Sequence, residues 1–228
     1  MRIRLAASLS AAILLAAACG DENNVVPAAP EAVPAPAMEN TTETGVREVP
    51  LTLGCGAPFT RDATPATLAA VFGRENVIPE EAPGPEGVPR NITAIYPNDP
   101  ARRVEVIFHN EEERTDLAAV TISNAGSLWT GPGGVKIGDS IETVESINGG
   151  PFNVMGFQWD YGGYVSDWKG GKLAETNGCT PAVRLSPRAD QLPAEIVGDG
   201  VQPSSDLPAM RAAQPKVMSF GINWAPPQ

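Results

Sequence analysis

Histidine is nearly missing from this sequence, and cysteine is scarce: there are 1 His and 3 Cys in 228 residues. Neither Cys55 nor Cys179 has a close neighbour at the short spacings that zinc and redox motifs use. No metal centre and no cofactor are therefore expected. The single imidazole, His109, sits beside Glu111, Glu112 and Glu113 with no serine or cysteine motif near it, so it reads as a surface residue and not a general base. No Gly-x-Ser-x-Gly, phosphate loop or paired metal motif occurs. Positive charge is also short. Lys and Arg number 16 against 27 Asp and Glu, and the formal net charge is −11. Such a chain is not built to hold phosphate backbones, which argues against a nucleic-acid partner. Aromatic residues make up only 6 %, while Gly and Pro stand at 23 each, a balance that favours turns over long helices.

What is present begins at the N-terminus. Arg2 and Arg4 precede an apolar stretch from Leu5 to Ala18. A bilayer takes about 20 apolar residues to cross, so this stretch has the size and flanks of a secretory signal, here residues 1–18. It ends in Leu15-Ala16-Ala17-Ala18-Cys19-Gly20. Small residues before a cysteine resemble the lipobox of bacterial lipoproteins. That likeness makes Cys19 the diacylated first residue of the mature chain. The family usually has Leu, Val or Ile three places before the cysteine, where this chain has Ala16. An ordinary Ala-x-Ala secretion signal is the other reading. In such lipoproteins of two-membrane bacteria an Asp after the cysteine favours the inner membrane, and Gly20 leans the expectation toward the outer membrane, facing the periplasm. A soluble periplasmic or secreted product is the alternative. If Cys19 carries lipid, Cys55 and Cys179 remain as one natural pair in a compartment where disulfides persist. Two separate buried thiols are the other possibility.

Residues 19–50 read as a flexible linker. From Asp21 to Pro50 the chain is rich in Pro and Ala, then polar, and cannot bury enough apolar area to offset its ordering entropy. Pro-rich segments extend by about 3.1 Å per residue, enough to carry a domain clear of lipid headgroups.

Residues 51–228 suffice for one domain. A first helix is signalled by Thr64 as cap and Pro65 at the first helical position, with Leu68, Val71 and Phe72 on one face and Gly73 as the stop. Strands are expected at Ile92–Tyr96, Arg103–His109 and Leu117–Ser123, the second burying Val104, Val106 and Phe108. Asp139 with Glu142 suggests a capping box for a second helix with Ile141, Val144 and Ile147 inward. A short helix can run from Ser205 to Ala213. A last strand has Met218, Phe220, Ile222 and Trp224 alternating with Val217, Ser219, Gly221 and Asn223. The predicted fold class is α+β, two helices on an antiparallel sheet. The halves also look related: each has a helix ending at Gly, then Asn-Val entering a strand (Asn76-Val77 and Asn153-Val154). Two helix-plus-strands units sharing one core would follow.

The strongest local signal is Met155 to Trp168. Gly162-Gly163 between two alternating runs predicts a tight hairpin. In that register Phe157, Trp159, Tyr161, Tyr164 and Trp168 share one side, with Tyr161 facing Tyr164. Gln158, Asp160, Val165 and Asp167 share the other. The aromatic side is either a binding face for protein or glycan, or the core of the sheet. Asp160 and Asp167 would be diagonal neighbours about 7–8 Å apart. Two carboxylates so placed can act as acid and base on a glycoside, or simply face solvent.

The run from Gly134 to Phe152, with Asn148-Gly149-Gly150-Pro151-Phe152, followed by Gly156-Phe157-Gln158-Trp159-Asp160-Tyr161-Gly162-Gly163, resembles an uncharacterised family of exported bacterial proteins, including lipoproteins. Trp129 and the Phe72-Gly73 helix end fit as well, and the likeness covers most of residues 51–228. It brings no activity with it. More distantly, the helix–Gly–Pro–strand pattern is similar to small-protein-A and β-lactamase-inhibitor-protein-like envelope domains. That class packs helices on an antiparallel sheet and works by contacting other proteins. The expected function is therefore a non-enzymatic envelope lipoprotein that binds a protein or glycan, with candidate contact residues Trp159, Asp160, Tyr161, Tyr164, Asp167 and Trp168. A secreted glycan-active hydrolase using Asp160 and Asp167 is the alternative.

Overall fold

The computed structural model describes residues 49–84, 87–174 and 178–227. The expected signal segment and Cys19 lie outside the described residues, as does all of the expected linker before Val49. Val49 and Leu51 already pack against the core.

The first helix, α1 (Pro65–Phe72), forms where its cap is reciprocal. The Thr64 hydroxyl accepts from the Thr67 N–H, and the Thr67 hydroxyl oxygen accepts from the Thr64 N–H at 2.9 Å. Gly73, at φ 90°, ends it. Leu68 and Phe72 are buried, but Val71 is 43 % exposed. The inward stripe is thus the i, i+4 pair with Ala69 partly buried beside it, because a two-turn helix has one narrow contact line.

Among the described residues, eight strands follow the sequence order β1 (Val77–Pro83), β2 (Pro89–Ile95), β3 (Val104–Asn110), β4 (Thr115–Ile122), β5 (Asn153–Val154), β6 (Val165–Asp167), β7 (Thr180–Ser186) and β8 (Lys216–Asn223). Six make one antiparallel sheet in the order β1-β2-β3-β4-β8-β7, and β5 pairs with β6 in a second, small sheet. Helix α2 (Ile141–Asn148) precedes β5 and helix α3 (Pro208–Ala213) precedes β8. The class is mixed α+β, and most of it is sheet.

The predicted face of β3 is buried as expected: Val104, Val106 and Phe108 are at most 2 % exposed. β8 departs from its predicted alternation. Arg184 of β7 stands opposite Ser219, but the next residue, Leu185, stands opposite Val217. Met218 is the extra residue of a bulge, which inverts the alternation on one side of it. Val217 therefore takes the core position (2 % exposed) and Met218 is left 42 % exposed. β7 is not among the predicted strands. It carries Pro181, whose missing N–H is tolerated because β7 is an edge strand.

α2 is capped one residue later than expected. Ser140 accepts from the Thr143 N–H, while the Asp139 carboxylate accepts from the Lys136 N–H at 2.7 Å. Ile141 and Val144 are buried; Ile147 is partly so. The core runs from α1 through the sheet to α2 and α3. Around Trp129, Phe59 and Phe72 pack at centroid distances of 6.0 and 6.3 Å, and the indole N–H donates to Arg102 O at 2.8 Å. That bond satisfies the side-chain N–H of a fully buried tryptophan. Cys55 and Cys179 stand at disulfide distance, their Cα atoms 5.5 Å apart.

Candidate functional site

The segment 155–164 is not a tight hairpin. The ladder between its flanks is limited to Asn153 opposite Asp167 and Val154 opposite Val165. Beyond it, Met155 N–H donates to Tyr164 O and Gly163 N–H donates to Met155 O. The residues from Gly156 to Gly162 then leave as a loop. Their glycines serve close approach, not a two-residue turn. A Cβ on Gly162 would lie 2.8 Å from Gly156 O, and one on Gly163 would lie 2.0 Å from Leu185 O. The loop is pressed between two partners. On one side Leu185 N–H of β7 donates to Gly163 O; on the other, Phe157 N–H donates to Ile196 O and Gly198 N–H to Phe157 O.

This arrangement divides the predicted aromatic side. Phe157 and Trp168 enter the core, 3 % and 6 % exposed. Trp168 packs on Phe152 at 5.2 Å and its N–H points to Pro181 O at 3.4 Å. Trp159 and Tyr161 stay at the surface, edge to face with centroids 5.4 Å apart, and Tyr161 is 51 % exposed. Tyr164 bridges to Arg184 of β7, whose guanidinium carbon lies 4.9 Å from the Tyr164 ring centre.

The two carboxylates are not cross-strand neighbours. Asp167 sits in β6 opposite Asn153, and its carboxylate accepts from the Lys169 N–H. Asp160 sits in the loop, outside any ladder, with an exposed side chain; its backbone oxygen accepts from Arg184. The diagonal register that would have set them about 7–8 Å apart does not form. Its physical reason is the same glycine packing that turns 156–162 into a loop.

Beside this loop lies an open cleft of about 430 Å³. Phe157, Gln158 and Trp159 form one wall. Arg184, Leu185 and Ser186 of β7 form the floor, and Leu192 and Met218 complete it. Trp159 was expected at a contact surface; Arg184, Gln158, Leu192 and Met218 were not. Arg184 carried a readable signal, being the polar position of an alternating run Pro181-Ala182-Val183-Arg184-Leu185. Met218 is brought to the cleft only by the bulge.

Arg184 organises the wall. Its Nε donates to Gly162 O at 2.8 Å and one Nη2 hydrogen to Asp160 O at 3.0 Å. The strand thereby fixes the loop that carries Trp159. The Trp159 indole nitrogen is shielded from solvent and has no hydrogen-bond partner among the described residues.

No three His, Cys, Asp or Glu side chains are grouped to hold a metal ion among the described residues. His109, exposed on β3, donates from Nε2 to Trp224 O at 3.0 Å. No described helix is long and apolar enough to cross a membrane. Comparison with protein-family profiles, with curated proteins and with solved structures found no match.

Proposed function

We propose that this chain is an exported bacterial envelope lipoprotein whose domain binds a ligand without acting on it chemically. In this reading residues 1–18 direct export, Cys19 carries the lipid, and the linker to residue 50 spaces the domain from the membrane, on the periplasmic side of an outer membrane. The likeness to exported bacterial proteins in the Asn148–Phe152 and Gly156–Gly163 motifs belongs to the same proposal. So does a fold built of two related helix-plus-strands units. In its favour, Val77 begins β1 and Asn153-Val154 forms β5, so both Asn-Val pairs enter strands after a Gly-ended helix.

The observation that carries the binding role is the cleft beside β7. It sets the half-buried Trp159 beside the Arg184 guanidinium, residue types that dominate binding hot spots. Acid–base work on a glycoside needs two carboxylates flanking one bond. Asp160 and Asp167 are held by different elements, and neither is among the residues lining the cleft.

Two measurements test the proposal. Mass analysis of the mature chain should find a diacylated N-terminal Cys19, and Cys19→Ser should move the protein from the membrane to the soluble fraction. An Asp160→Asn, Asp167→Asn double variant should retain whatever partner the wild type captures from envelope extract. Loss of a glycan-hydrolysing activity in that variant would instead establish the hydrolase.

A further inference from the structure

The six-stranded sheet ends on β1, and among the described residues no other strand pairs with the outer side of β1. The bare edge is long, because β1 and β2 stay paired from Val77 opposite Ile95 to Pro83 opposite Pro89. This hairpin is also apolar in part, with Ile78 37 % and Val88 64 % exposed. A bare strand of such length and character is a template on which a second chain can add.

The register shows which backbone groups face outward. Tyr96 N–H donates to Asn76 O, and Gly84 N–H donates to Val88 O. These contacts mark bonded pairs of the ladder, and bonded pairs recur at every second residue. Ile78, Glu80 and Ala82 therefore turn their backbone groups toward β2, while Val77, Pro79, Glu81 and Pro83 turn theirs away. The Val77 N–H is taken by Arg74 O. Pro79 and Pro83 have no N–H to offer. Glu81 is left as the single outward donor of the strand, and its side chain is exposed. Two copies aligned on that donor would set one Glu81 carboxylate against the other, where like charges repel.

The inner side of the hairpin is closed by other means. β2 pairs with β3 only from Thr93 to Ile95. Before Thr93, the positions that turn toward β3 are Pro89 and Asn91. Pro89 again lacks the donor. The Asn91 N–H donates to Glu111 Oε2 at 3.3 Å, and Arg90 pairs with Glu111 Oε1 at 3.2 Å. One carboxylate thus stands in for the missing ladder. At the far end of the sheet, β7 is covered by the loop, with Leu185 N–H donating to Gly163 O and Arg184 bridged to Tyr164.

We propose that Pro79, Pro83 and Pro89, with Glu111, guard the β1–β2 hairpin against edge-to-edge pairing with a second copy of this chain. The guard works by removing donors, so it leaves the outward carbonyls and the exposed Ile78 in place. It does not depend on the binding role proposed above.

The test uses the mature chain with Cys19→Ser, so that no lipid drives association. Sedimentation equilibrium should find it monomeric up to about 0.5 mM. The double variant Pro79→Thr, Pro83→Thr restores two outward N–H groups and should dimerise with a Kd at least about tenfold below that of the guarded chain. Ala82→Thr is the control: it puts the same new side chain on the strand, but its N–H already faces β2, and it should stay monomeric. Hydrogen exchange on the guarded chain needs no variant, so it decides even if the double variant fails to fold. The Glu81 N–H should exchange at least about tenfold faster than those of Ile78, Glu80 and Ala82. A folded double variant that remains as monomeric as its parent overturns the proposal. So does a control that dimerises equally well, or a Glu81 N–H protected like its neighbours.

Discussion

The backbone oxygen of Leu185 occupies the space that any side chain on Gly163 would need. A Cβ there would come within 2.0 Å of it, and the same two residues are joined by Leu185 N–H donating to Gly163 O at 2.8 Å. Gly163 also has φ +84°, a conformation that L side chains rarely adopt. Sheet edge and cleft wall meet here, and again where Arg184 donates to Gly162 O and Asp160 O.

Gly163→Ala should therefore destabilise the domain by at least about 3 kcal/mol, through backbone strain and displacement of β7. Gly150→Ala is the control. Nothing lies within 4 Å of its added carbon, and the change should stay within about 0.5 kcal/mol. Urea unfolding of both variants checks the pair. A Gly163→Ala midpoint equal to wild type would mean that the loop does not lie against Leu185.

Asn148 is buried, and its amide is fully employed. Nδ2 donates to Gly150 O and Trp168 O at 3.0 and 3.1 Å, and Oδ1 accepts from the Leu173 N–H at 3.2 Å. It ties the end of α2 to the Trp168 backbone and to the turn at 172–174. Asn148→Leu would strand the Trp168 carbonyl and the Leu173 N–H away from water and leave the part-buried Gly150 carbonyl without its donor, and should cost about 2–4 kcal/mol. Gly171→Ala attacks the same network from outside, because its Cβ would fall 2.2 Å from Asn148 Oδ1. Chemical denaturation should show both variants well below wild type, and the double variant should lose less than the sum.

Local signals were legible where one element settles its own fate. Thr64-Pro65 starts α1 and Gly73 ends it, and the alternation of Val104, Val106 and Phe108 marks β3, because capping and period-two burial need no information from elsewhere. The cleft was only half legible. Trp159 stood out by residue type, but Arg184, which lines the cleft with it, lies on β7, and their meeting is a tertiary fact. The Gly162-Gly163 pair was misleading for a definite reason. A glycine pair signals either a turn or a place where another backbone comes close, and only the position of Leu185 decides between them. Met218 shows the same limit: a one-residue bulge reverses its face, and nothing in Val217-Met218-Ser219 announces it.

Acid should weaken the fold in a defined window. The Thr60 hydroxyl holds Asp62 below its ordinary value, the Arg102 guanidinium does so for Asp99, the Ser140 hydroxyl for Glu142 and the Ser204 hydroxyl for Asp206. Each folded-state value is lower than the unfolded one, so between the two the unfolded chain binds more protons. Their stabilisation is complete above the ordinary values, 3.8 for Asp and 4.5 for Glu, and is lost as pH falls through the lowered ones. All four groups are largely exposed, so the effect is modest and reduced by salt. Thermal midpoints should stay level from pH 7 to about 5 and fall from about 4.5 downward. A midpoint that rises on acidification would contradict these assignments.

The pair Cys55 and Cys179 makes the largest single prediction about stability. A covalent bridge there spans 124 positions and so ties the segment before α1 to the start of β7. In the chain-entropy account a loop of this length is worth up to about 5 kcal/mol, since it removes many open conformations from the unfolded chain. Cys179 is only 2 % exposed, so added reductant reaches it slowly and substitution is the cleaner probe. Cys55→Ser should lower stability by about 2–5 kcal/mol in urea unfolding, measured without reductant. Wild type unfolded and refolded in dithiothreitol should match that variant. Full retention of stability by Cys55→Ser, together with two titratable thiols in the wild-type chain, would show that the two sulfurs stand close without being joined.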